Sequence, residues 1–173
     1  VWPHYVYGKN AIYSHGHHGN AILSKSPFRL LGNVDLTQFS ISRRGMVMGL
    51  MESGIHVVCV HLGLFERERM SQLAVIAAEL ERQIGPGEPV ILAGDFNDWR
   101  LKAHQFLIDS LGFSEAYQVH NQCLPRTFPA RWPLFKTDRI YVRNLSVVNS
   151  RCLSEQAWSG LSDHCALCAE LSI

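Results

Sequence analysis

Pro89-Val90-Ile91-Leu92-Ala93-Gly94-Asp95-Phe96-Asn97-Asp98 is the stretch from which the fold can be read. It opens with a continuous apolar run, typical of a short strand buried on both faces. It closes on acidic and amide residues around a single Phe. Alternation along a strand puts Asp95 and Asn97 on one side at the carboxyl end and turns Phe96 into the core. Adjacent oxygen donors of these types suit a hard cation such as Mg²⁺, which takes carboxylate, amide and water oxygens. Gly, Asp and Asn also favour turns, so a plain turn is the competing reading of these residues alone.

Upstream, apolar Met70, Leu73, Ile76, Ala77 and Leu80 recur at helical spacing from Arg67 to Gln83, and Gly85-Pro86-Gly87 stops that helix. Before it, the apolar runs Gly45 to Met51 and Ile55 to Leu62 flank Glu52-Ser53-Gly54, a hairpin signal in which Gly54 can supply the positive φ. Gly19 to Ser24 reads as a short strand ended by Ser26-Pro27. Downstream, Ala103 to Leu111 predicts a second helix closed by Gly112, and Thr127 to Leu134, with Pro129 and Pro133, reads as a loop. Strands follow at Arg139 to Val142, Leu145 to Val148 and Ala166 to Ile173. The elements form one α/β (α+β) domain over residues 1–173, with sheets covered by helices.

Several other polar residues sit at strand ends. His61 closes the run Val57-Val58-Cys59-Val60, Asp138 opens Asp138-Arg139-Ile140-Tyr141-Val142, and Ser162-Asp163-His164 precedes the last strand. Each has an ordinary reading: a satisfied histidine, an exposed carboxylate, a turn. Their order along the chain carries more than any one of them.

Composition sets the outer limits. The chain has 173 residues, 47% apolar and 18% charged, enough for one domain with a core and unlike a disordered segment. No apolar run is long enough to span a bilayer as a helix. A net charge of +1 gives no footprint for tight nonspecific nucleic-acid binding. Cys59, Cys123, Cys152, Cys165 and Cys168 form no disulfide framework, and reduced thiols fit a cytoplasmic location. Cys165-Ala-Leu-Cys168 has C-x-x-C spacing, but alternation in a strand sends its thiols to opposite faces. Val1-Trp2-Pro3-His4-Tyr5 reads as mid-domain sequence.

Taken together, Gly19 to Ser24, Val57 to Leu62, Gly94 to Asn97, Asp138 to Val142 and Ser162 to His164 resemble the successive motifs of the endonuclease/exonuclease/phosphatase superfamily. His17-His18-Gly19-Asn20 and the stretch from Arg126-Thr127-Phe128-Pro129 to Val142 are similar to a bacterial branch of it. The resemblance implies a four-layer sandwich of two mixed β-sheets with outer helices and a cleft at one end. It implies a hydrolase of phosphoester bonds using Mg²⁺ (or Mn²⁺), an activated water and two histidines. In that scheme Asp95 binds the metal or aligns the water, Asn97 holds the phosphate or the metal shell, and Asp163 is a metal ligand. His164 contacts the phosphate or transfers a proton, Asp138 orients it, and His61 and Asn20 face the substrate. The substrate class is a phosphoester: nucleic acid, a phospholipid or a small phosphate ester.

Family members open with a strand carrying an Asn, then a helix and a second strand ending in a metal-binding Glu. Nothing matching this precedes the Gly19 strand, and Glu52 falls in a hairpin turn, so no residue here is assigned to that ligand. The chain therefore reads as the C-terminal two-thirds of such a domain, truncated at its N-terminus. It is expected to hydrolyse poorly alone and to self-associate through the core so exposed. The competing function is a non-catalytic binding module on the same scaffold. A zinc or redox site built on His15, His17, His18 and the cysteines is a third class.

Overall fold

The computed structural model describes residues 2–38, 43–155, 157–158 and 160–173. Its centre is a six-stranded mixed sheet. The strands, in spatial order, are β3 (Phe28–Asp35), β4 (Gly45–Met51), β5 (His56–His61), β6 (Val90–Asp95), β8 (Asp138–Arg143) and the short β7 (Ser114–Glu115). Only β5 and β6 run parallel, joined by the crossover helix α1 (Glu66–Gln83); the other pairs are antiparallel. Helix α2 (Lys102–Leu111) follows β6, and α3 (Ala116–Asn121) follows β7. Two ribbons complete the chain, β1 (His4–Tyr13) with β2 (Gly16–Ser24), and β9 (Ser146–Leu153) with β10 (Ala166–Ser172). Among the described residues no helix is long and apolar enough to cross a membrane.

The two faces of the large sheet follow from the period-2 pattern. Met46, Met48, Val58, Val60, Val90, Leu92 and Tyr141 point to the helical side, where Leu73, Ile76 and Leu80 of α1 and Leu107 of α2 are buried against them. Burying each such side chain is worth about 1.5–3 kcal/mol. Val57, Cys59, Ile91, Ala93 and Ile140 point the other way and are half-buried. The β1–β2 ribbon packs on that second face over β4 and β5. A Cβ on Gly8 would strike Val47 and one on Gly45 would strike Asn10, so these glycines permit the close approach.

The hairpin around Gly54 (φ +82°), both long helices and the last three strands lie where the sequence places them. The sequence reading missed β1, β3, β7 and α3. Gly8-Lys9-Asn10 in β1 and Gly32-Asn33 in β3 are poor strand formers, and each strand carries a register shift near them, which blurs the alternation. The strand read at Gly19 is the second half of a longer hairpin. Cys165 is buried and Cys168 exposed, as alternation requires.

One polar network is sealed inside. The Arg139 side chain is fully buried and donates through Nη1 to Asp98 Oδ2 at 3.2 Å and through Nη2 to the Asp98 and Lys136 carbonyls, both at 2.8 Å. Asp98 also accepts the backbone N–H groups of Lys102 and His104. It thereby anchors the start of α2, whose N-cap Leu101 has no polar side chain to offer. Arg139→Met should lower unfolding stability by about 3 kcal/mol, because the buried Asp98 charge loses its 3.2 Å partner and keeps only Arg69 Nε at 3.9 Å; a urea titration reads it as a lower midpoint. Gly94 has φ +146°, and a Cβ there would run into the Val60 carbonyl on the neighbouring strand. Gly94→Ala should therefore cost more than the roughly 1 kcal/mol typical of a point mutant, with a lower melting midpoint by circular dichroism.

Candidate active site

Strand register builds the site. Gly45 lies opposite His61, His61 opposite Asp95, and Asp95 opposite Asp138, so one rung crosses β4, β5, β6 and β8. The side chains of His61, Asp95 and Asp138 share the face turned away from the helices. Parallel β5 and β6 end at this rung and antiparallel β8 begins at it, which is why the polar residues sit at opposite ends of their sequence runs.

Asp95 Oδ1 accepts the Asn97 N–H at 2.8 Å, while Oδ2 lies 3.5 Å from His61 Nε2. Asn97 sits at φ +47°, a left-handed conformation that Asn tolerates, and its Nδ2 donates to the Leu62 carbonyl at 3.0 Å. Burial pushes the Asp95 carboxyl above its usual range, and the facing charge of Asp138 adds to that. Burial pulls His61 down to about 4, with the nearby Arg44 charge in support. Its imidazole is neutral at pH 7, and its Nδ1 lies 3.5 Å from Arg44 Nη1.

His164 Nδ1 donates to Asp138 Oδ2 at 2.7 Å, the pairing anticipated from sequence. Partial burial lowers its affinity for protons, but the hydrogen bond and charge of Asp138, with Asp95 and Asp163 adding, outweigh this and hold it above the ordinary value. The ring of Phe128 lies against the imidazole, with centroids 4.7 Å apart. Thr137 donates to the same Asp138 oxygen at 2.9 Å, and Thr127 Oγ1 accepts the Asp138 N–H at 3.1 Å. The Thr127 carbonyl accepts the Cys165 N–H at 2.7 Å, so this one threonine ties the start of β8 to the residue after His164.

Asn20, on β2, is buried and donates through Nδ2 to the Gly45 carbonyl at 2.6 Å, at the far end of the rung. Asp163 is exposed, and its carbonyl accepts the Ala130 N–H at 2.6 Å. Its carboxylate is not in the group that brings ligand atoms of Asp95, Asp138 and His164 within 4.8 Å of one another. That group is the one set of metal-type donors of its kind among the described residues; His15, His17 and His18 form no such set. Sequence reasoning missed Arg44, Thr127 and Thr137. A basic residue just before an apolar run and threonines in or next to a loop carry no distinguishing signal on their own.

Paired carboxylates and an imidazole are a donor set that fits a divalent cation, and the raised proton affinity of Asp95 beside Asp138 is relieved by positive charge between them. The model of the Endonuclease/Exonuclease/phosphatase family matches residues 1–164. The uncharacterized protein YbhP of Escherichia coli K12 is 42% identical across all of this chain and 70% of its own length. The mannosyl-6-phosphatase Bt3783 of Bacteroides thetaiotaomicron superposes with a TM-score of 0.75 at 18% identity, over 99% of this chain and 78% of that one. TDP2 of D. rerio, solved with a single-strand DNA product, gives 0.70 at 16% identity, over 98% and 76%. At such identities the structural matches establish a shared fold, and with the family model they show that this chain belongs to the endonuclease/exonuclease/phosphatase family.

Proposed function

We propose that the protein hydrolyses phosphoester bonds with a divalent cation, Mg²⁺ or Mn²⁺. The observation that supports this best is the rung: a neutral imidazole, a carboxylate and a carboxylate–imidazole pair, side by side on three adjacent strands. A bound cation would supply charge stabilisation at the phosphoryl oxygens and a lower pKa for attacking water. Asp95 is the carboxylate assigned to it, because Asp138 Oδ2 is already taken by His164 and Thr137. Asn97 is the amide donor beside it. Asp163, next to His164 and exposed, is the second carboxylate assigned to the cation.

The chain's own residues handle protons and orientation. Asp138 fixes the His164 tautomer by holding Nδ1–H, which leaves Nε2 to face the phosphate and move a proton. Neutral His61, its Nδ1 facing the Arg44 donor, donates a hydrogen bond through Nε2–H to a phosphoryl oxygen without adding charge. Asn20 closes the far end of the row through the Gly45 backbone. The name of the phosphatase neighbour fits a monoester and that of the DNA-bound neighbour a diester.

Hydrolysis of p-nitrophenyl phosphate and bis-p-nitrophenyl phosphate, followed with Mg²⁺, Mn²⁺ or EDTA, tests the reading. Metal-dependent release of nitrophenol from at least one ester is expected, slow for residues 1–173, in which no residue is assigned to the family's metal-binding Glu; release undiminished by EDTA, or none from either ester, would overturn it. Asp95→Asn should lower kcat by about 10²–10⁴-fold. Asp138→Asn, at a positioning residue, should lower kcat by about 10–100-fold with KM and the melting midpoint held, and should shift the pH profile of the rate. A merely structural role for Asp138 would instead lower the melting midpoint and leave that profile in place.

A further inference from the structure

Beyond His61 the rung opens into a cleft of about 1200 Å³, walled by the β1–β2 ribbon, the residues before β4 and the first turn of α1. Arg43, Arg44 and Arg67 line it, with Tyr13 and Phe65 half or more exposed at its sides. Among the described residues no carboxylate oxygen pairs with any of these three guanidinium groups. The Arg44 Nε is buried with no hydrogen-bond partner, and its Nη1 lies 3.5 Å from His61 Nδ1. A buried donor of a charged group left without a partner is costly. The carboxylate on that wall, Glu68, is buried and accepts from Gln72 at 3.3 Å, and among the described residues it forms no ion pair with the three arginines. The start of α1 does not hold the anion either, because Glu66 and Glu68 already occupy its first turn.

We propose that this cleft binds a second phosphate of the substrate, next to the one attacked, through Arg44 and Arg43. The substrate class is then a doubly phosphorylated ester on a ring scaffold, with Tyr13 and Phe65 placed to lie against the ring. The proposal rests on the hydrolase reading for what the rung does, but the arginines can be tested by binding alone. Arg44 precedes Gly45 on the same rung, one strand spacing of about 5 Å beyond His61, so a group held there is a near neighbour of the reacting phosphate.

Calorimetric titration of the protein in Mg²⁺ with thymidine 5′-monophosphate, thymidine 3′,5′-bisphosphate and glucose 1,6-bisphosphate tests it. The nucleoside bisphosphate should bind about 10-fold or more tighter than the monophosphate, the scale of one added charge-assisted contact. Arg44→Gln should remove most of that advantage. Should Arg44→Gln fail to fold, Arg43→Gln, at an exposed position, should cut the same ratio. Equal or undetectable binding of mono- and bisphosphate, or an advantage that survives both variants, would overturn the proposal. Tighter binding of the nucleoside than of the sugar bisphosphate supports it and assigns Tyr13 and Phe65 to a base; equal binding of the two, both above the monophosphate, supports it through the phosphates alone. Loss of nitrophenol release in the earlier assay, with the binding ratio intact, would defeat the hydrolase reading and leave the second-phosphate site standing.

Discussion

The buried ion pair between Asp98 and Arg139 is the constraint from which the site takes its shape. It joins the loop after β6 to the strand β8 beside it, on the side of the sheet opposite the reacting groups. With Asp98 fixed, the turn through Asn97 (φ +47°) and Leu101 (φ +62°) has little freedom, and Asp95 is held between His61 and Asp138. A pair of this kind need not be more stable than an apolar replacement, since desolvation offsets its attraction. What it secures here is geometry, because among the described residues Arg139 has no other carboxylate partner and Asp98 has otherwise only the longer 3.9 Å contact with buried Arg69.

On the opposite face, register does the same work. A one-residue slip of β6 against β5 or β8 would turn Asp95 to the helical side and break the row. Gly94 guards that register, since its backbone lies where a side chain would meet the Val60 carbonyl. The facing carboxylates Asp95 and Asp138 repel one another, and the imidazole on Asp138 compensates only one of them. The remaining tension raises the proton affinity of Asp95 and would be eased by positive charge beside it. At the other end of the row the imbalance reverses sign, with Arg43, Arg44 and Arg67 unpaired around an aromatic-sided cleft. A substrate with charge at both ends of this gradient answers both imbalances.

Much of this was legible in the chain itself. The run ending Gly94-Asp95-Phe96-Asn97, the D-R-I-Y-V strand and the terminal Ser162-Asp163-His164 identify the strand ends that carry chemistry, and Asp138 with His164 follows from their order. Arg44 was not legible, because an arginine before an apolar run is ordinary until the fold sets it against His61. Thr127 and Thr137 were hidden for a similar reason: their hydroxyls matter only once the loop between them folds back over Asp138. Asp163 shows the converse, a residue singled out by its motif whose carboxylate the fold leaves exposed beside the cluster.

By itself the sequence determined the strongly periodic elements and their faces, though not β1, β3, β7 or α3, since apolar periodicity and turn residues act over a few neighbouring positions. It determined which polar residues stand at strand ends for the same reason. Which of those ends share a rung was decided only in three dimensions, through the hydrogen-bond register of strands far apart in the chain: β5 with β6 across a helix, and β6 with β8 across more than forty residues. The charges of the site were decided there as well. Burial lowers His61 and raises Asp95, and burial is a property of what packs around a residue, which no local pattern encodes.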